Sequence, residues 1–129
     1  MLFPYREIEP RKYGPVVDLS VKGPVRVVRF EAFVDSGADF SIFDDHSAEI
    51  IGLRYKSGEK IPVTVGDGDR IVVYRHYLIV NLAGVQFQAP ICFSSDLGSG
   101  FNLLGRAGFF DQFRVCFHEK QKYVSMQKV

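Results

Sequence analysis

The chain has 129 residues, 47% of them apolar, with 16 basic and 15 acidic side chains for a formal net charge of +1. That length suits a single domain with a proper core, and no run of like charge offers a footprint for nucleic acid or an anionic membrane. No stretch reaches the ~20 apolar residues of a membrane span, and Met1-Leu2-Phe3-Pro4-Tyr5 lacks the basic-then-apolar layout of a secretory signal, so the expectation is a soluble, cytoplasmic protein.

Residues 1–15 hold Pro4, Pro10, Gly14 and Pro15 among charges and read as an extended N-terminal arm, with one domain over 16–129. From Val16 to Val34 the chain is rich in β-branched and apolar residues, interrupted by Lys22-Gly23-Pro24, which predicts two strands around a turn. Along the second, Val28, Phe30, Ala32 and Val34 alternate onto one face, so the strand leads from the core directly to Asp35.

Asp44 to Gly52 has acids where a helix N-cap is wanted and a glycine where a helix stops, predicting a short helix. Ile61–Val65 and Ile71–Val80 read as the strands of a long hairpin whose tip is Gly66-Asp67-Gly68-Asp69. That tip lacks the oxygen-ligand spacing of calcium loops. Val85–Phe93 predicts another strand, residues 94–100 a breaker-rich loop, and Phe101–Leu104 a further apolar run. Gly105–Phe113 is expected as a second short helix, and Arg114–Phe117 with Tyr123–Met126 as a closing hairpin. Cys92 and Cys116 sit among large apolar residues and are expected as buried free thiols. His46, His76 and His118 share no ligand spacing, so neither a metal nor another cofactor is expected.

Chemistry concentrates in two segments. Phe33-Val34-Asp35-Ser36-Gly37-Ala38-Asp39-Phe40-Ser41 places a carboxylate, a hydroxyl and a glycine in a tight turn between two apolar strands, where backbone N–H groups and the hydroxyl can orient the carboxylate. Phe101-Asn102-Leu103-Leu104-Gly105-Arg106 sets two leucines before a glycine that permits close backbone approach. Asp35-Ser36-Gly37-Ala38 and Leu103-Leu104-Gly105-Arg106, in this order and with a flap-like hairpin between them, resemble the two motifs of the retroviral-type (retropepsin-like) aspartic peptidases.

That resemblance spans about Val16 to Phe117 and implies a mostly β fold: a closed six-stranded acid-protease-type barrel with a flap hairpin and one or two short helices. It further implies an endopeptidase in which Asp35 from each of two subunits activates a water, with Ser36, Gly37 and Ala38 supporting the catalytic loop and Ser36 bonding across the dimer axis. Substrate would meet Asp39, Val65, Gly66, Asp67, Gly68 and Leu103, while Leu104, Gly105 and Arg106 brace the loop, Arg106 through a salt bridge to Asp39. The partners so implied are a second copy of the chain and a peptide or protein substrate, with no nucleic acid and no membrane. This sequence carries serine where threonine is commoner, a more acidic flap tip, and a longer tail beyond Phe113. The rival reading is a non-catalytic peptide- or partner-binding module on the same fold.

Overall fold

The computed structural model describes residues 1–98 and 100–129. Its strands are β1 (Leu2–Pro4), β2 (Arg6–Glu9), β3 (Lys12–Gly14), β4 (Val16–Lys22), β5 (Val27–Val34), β6 (Ile42–Asp44), β7 (Glu59–Thr64), β8 (Arg70–Leu82), β9 (Val85–Ser94), β10 (Asn102–Leu104), β11 (Phe113–His118) and β12 (Tyr123–Lys128). Among the described residues one short helix, α1 (Asp45–Ile50), and a single 3-10 turn, Tyr55–Ser57, complete the elements. No helix among the described residues is long and apolar enough to cross a membrane.

Strands β4, β5, β10, β6, β9 and β8 are neighbours in that order, and pairing of β4 with β8 closes them into a six-membered ring. The thirteen-residue β8 makes closure possible, because one edge of it serves two purposes. Ile79–Leu82 pair with β4, while Arg70–Arg75 pair with β7 and extend out as the hairpin. The ring interior is built from alternating positions: Leu19 and Val21, Ala32 and Val34, Val80 and Leu82, Ala89 and Ile91 are buried. Phe43 fills its centre, edge-to-face with Phe30 at 5.6 Å and Phe93 at 6.1 Å.

Short polar links fix the pieces that periodicity alone leaves loose. Asp44 caps α1 by accepting from the Ser47 N–H at 2.9 Å, and Gly52 ends the helix region with φ +77°. Buried Asn102 accepts from the Asp44 N–H at 3.0 Å and donates to Ser47 Oγ at 3.1 Å, tying β10 to β6 and α1.

Residues 1–15 are extended and also packed. β1 pairs with β12, β2 and β3 form a hairpin, and Phe3 and Tyr5 belong to the main core. Arg6 holds the hairpin to the ring through Asp18 and Glu31.

Two expectations are corrected. Gly105–Phe113 is not a helix but successive turns, with Arg106 O accepting from the N–H groups of Phe109 and Phe110 and Phe109 O from those of Gln112 and Phe113. Gly108 interrupts it at φ +78°, and a Cβ there would collide with the Pro90 ring. Cys92 is buried, but Cys116 is exposed on β11, because its side of that strand faces away from the core.

Candidate active site

β5 delivers the chain to Asp35, and β10 sits directly beside it in parallel register, Leu103 opposite Phe33 and Leu104 opposite Val34. The Asp35 N–H donates to Leu104 O at 2.9 Å, so the strand pairing continues into the turn. Within the turn, the Gly37 N–H donates to Asp35 Oδ1 at 2.9 Å and the Ala38 N–H to Asp35 O at 3.2 Å. These bonds orient a half-buried carboxylate whose neighbours Ser36 and Gly37 are exposed.

The second motif closes on the first. The Arg106 N–H donates to Ala38 O and the Ala107 N–H to Asp39 O, each at 2.9 Å. The Arg106 guanidinium pairs with the Asp39 carboxylate. Gly105 is sterically required: a Cβ there would lie 2.9 Å from Ala38 O and closer still to the Phe40 carbonyl. Its N–H donates to the buried Ser41 Oγ at 2.9 Å. Ser41 closes the sequence segment that holds Asp35, but its role in this assembly could not be assigned from sequence, where it is only a hydroxyl in an otherwise apolar strand entry.

A cavity of about 440 Å³ opens beside the turn. Asp35, Gly37, Ala38 and Asp39 line its floor, with Phe40, Ile42 and Leu103 forming one wall. The opposite wall is the first arm of the hairpin, Pro62 to Gly66. The structure therefore brings Asp35, Asp39, Val65, Gly66 and Leu103 together around one space. Asp67 and Gly68 lie beyond it at the tip, where Gly68 takes φ +89° and Val65 N–H closes on Asp69 O at 2.8 Å. Leu104 points the other way, into the main core.

Phe40, Ile42, Pro62, Val63 and Thr64 were not singled out from sequence. They reach the cavity because β6 and β7 flank it, a proximity that becomes visible only when the ring closes. Beneath the hairpin, Ile42, Val73 and buried Cys92 form a second small apolar cluster with Phe40, Ile61 and Val63 packed on it. Burial pushes the Cys92 thiol up to about 11, so it stays protonated and inert at neutral pH. Among the described residues no group of three or more His, Cys, Asp or Glu could hold a metal ion.

No family model matches the sequence, and no curated protein sequence matches it. Solved structures do. The protein is similar to EIAV protease in complex with the inhibitor HBY-793, at 16% identity and a TM-score of 0.56, over 76% of this chain and 86% of that one. It is also similar to the retroviral protease-like domain of Ddi1 from Leishmania major, at 22% identity and a TM-score of 0.62, over 88% of each chain. With a ring of strands meeting at the Asp35 turn and likeness to both of these structures, the chain has the retropepsin-like aspartic peptidase fold.

Proposed function

We propose that the chain is an aspartic endopeptidase active as a homodimer, each subunit contributing Asp35. The observation that carries this reading is the Asp35 carboxylate, oriented by the Gly37 N–H on the floor of an open cavity about the size of a peptide segment. Hydrolysis by this route needs one carboxylate to take a proton from water as it attacks the peptide carbonyl, and a second, protonated, to donate to the carbonyl oxygen. Breaking of the C–N bond then returns a proton to the leaving amine. One aspartate cannot hold both roles at once. Two carboxylates about 3 Å apart cannot both ionise, and they share a proton. Because the sequence holds a single Asp-Ser-Gly-Ala loop, a two-fold axis is the economical source of the second carboxylate.

In this reading Ser36 bonds across the axis, and Gly37 and Ala38 hold the turn. An extended peptide lies between the Asp39–Leu103 side and Val65–Gly66, with Asp67 and Gly68 forming the tip of a flap that closes over it. Leu104, Gly105 and Arg106 brace the loop from behind. Residues 16–129 carry the peptidase domain, and two free thiols favour a cytoplasmic setting.

The test is cleavage of a mixed peptide library across roughly pH 3 to 8, parent against Asp35→Asn, with dimerisation measured for both. Cutting by the parent and silence from an equally dimeric Asp35→Asn is the expected result. An inert parent dimer would instead make the chain a peptide-binding module on a peptidase fold.

A further inference from the structure

β7 stands last in the strand order, so one of its edges pairs with β8 and the other meets no strand among the described residues. That free edge flanks the cavity, which Pro62 to Gly66 line. An unpaired strand edge is a row of backbone donors and acceptors, and an extended peptide laid along it can continue the ladder. The geometry of the hairpin sets which groups this edge offers.

Alternate residues of an antiparallel strand turn their N–H and C=O groups to opposite sides. At the tip the Val65 N–H donates to Asp69 O at 2.8 Å, and Val65 O accepts from the Gly68 N–H at 2.9 Å, so the groups of Val65 turn inward, to the returning strand. Val63 shares that side, and Thr64 and Pro62 turn theirs outward. The facing strand agrees: Val72, opposite Pro62, sends its carbonyl away from β7 to accept from Ser94 Oγ at 2.8 Å. Thr64 thus presents a donor and an acceptor to the free edge, whereas Pro62 presents an acceptor alone. Its missing N–H leaves the β7–β8 ladder intact, because it falls on the side that β8 does not use.

We propose that Pro62 is a specificity-determining residue, which ends the length of substrate that the hairpin holds by backbone pairing. This rests on the reading of the cavity as the cleft of a paired-Asp35 peptidase. A substrate strand along the edge meets both a donor and an acceptor at Thr64. At Pro62 it can donate an N–H to the carbonyl, but its own carbonyl finds no donor on the hairpin and must keep its water. Pairing therefore weakens at the place where the lining of the cavity also stops. The substrate that fits is a short extended segment whose chain turns away on passing Pro62, since it gives up no hydrogen bond by leaving there. A long strand held along the whole of β7 fits less well.

The test is kcat and KM on a peptide that the parent cleaves, with about six residues on each side of the cut, enough at ~3.3 Å per residue to run past both positions. Pro62→Val restores the outward N–H and keeps apolar bulk, and should lower KM about threefold to tenfold with kcat nearly unchanged. Thr64→Pro removes the outward N–H without touching the ladder to β8, and should raise KM by a similar factor while the circular dichroism of the folded chain is kept. If KM does not fall in Pro62→Val, or a folded Thr64→Pro keeps the parent's KM, while the parent still cuts through Asp35, this proposal falls and the paired-Asp35 reading stands. A parent that cuts nothing, or whose cutting survives Asp35→Asn, removes both.

Discussion

The two walls of the Asp35 cavity use glycine in opposite ways. Behind the floor, Gly105 is packed so tightly that a methyl group would strike the Phe40 and Ala38 carbonyls, which are backbone atoms with no easy way to yield. At the hairpin tip, Gly66 and Gly68 have nothing within 4 Å of a built Cβ, and only Gly68 has a positive φ. The floor glycine is demanded by neighbours distant in sequence; the tip glycines answer to local turn geometry alone. A site that must hold a carboxylate still while admitting a peptide has reason to be built this way, with a braced base and an unpacked roof.

The most severe test of that contrast is on activity. Asp35→Asn leaves every backbone contact of the floor in place, and should lower peptide cleavage by about a thousandfold or more with little change in thermal stability. Comparable loss of stability would mean that the carboxylate serves the fold more than the chemistry.

Next comes Gly105→Ala, expected to cost about 3 kcal/mol or more in denaturant unfolding, against under about 0.5 kcal/mol for Gly66→Ala. Gly68→Ala should fall between them at about 1 kcal/mol, from positive φ alone. Equal effects at positions 105 and 66 would erase the distinction between floor and tip.

Ser41→Ala sharpens the comparison from the floor side. It strands the buried Gly105 N–H without a partner, for an expected loss of about 1–2 kcal/mol. Arg106→Ala removes a salt bridge whose two side chains are well exposed, so its stability effect should stay below about 1 kcal/mol.

The smallest effect concerns acid. The Arg6 guanidinium, with help from Arg29, holds the Asp18 carboxyl at about 2, below its ordinary 3.8. A depressed carboxyl contributes stability above its ordinary value and loses it as pH falls, here between about 4 and 2. Thermal unfolding of Arg6→Ala should therefore show a flatter decline over that window, by under about 1 kcal/mol for so accessible a network. An unchanged acid limb would remove this link as the hairpin's anchor.

Local pattern carried far in this protein. Alternation in Val28 to Val34 located β5 and its inner face; Asp44 and Gly52 bracketed α1; the glycine-rich tip announced the long hairpin. Pattern failed where a distant neighbour decided the outcome. Gly105–Phe113 has the apolar spacing of a helix, but Gly108 is committed to a left-handed conformation against Pro90, and the segment folds as turns. Cys116 has apolar neighbours in sequence, yet its face of β11 looks outward. Residues 1–15 carry the prolines of an extended arm and are extended, while Phe3 finds a place in the core beside Val124, a partner 121 positions away, which no local pattern announces.

By itself the sequence determined the β character of the chain, the strand leading into Asp35 and the order of the two motifs, because strand periodicity and turn chemistry act over a few residues. Only the tertiary structure decided that β8 would close the ring onto β4 and also carry the hairpin, that Phe40, Ile42 and Pro62 would line the cavity, and that Ser41 would hold Gly105. Each of those depends on atoms brought together across long loops, where the contact is set by packing in three dimensions and leaves no period in the chain.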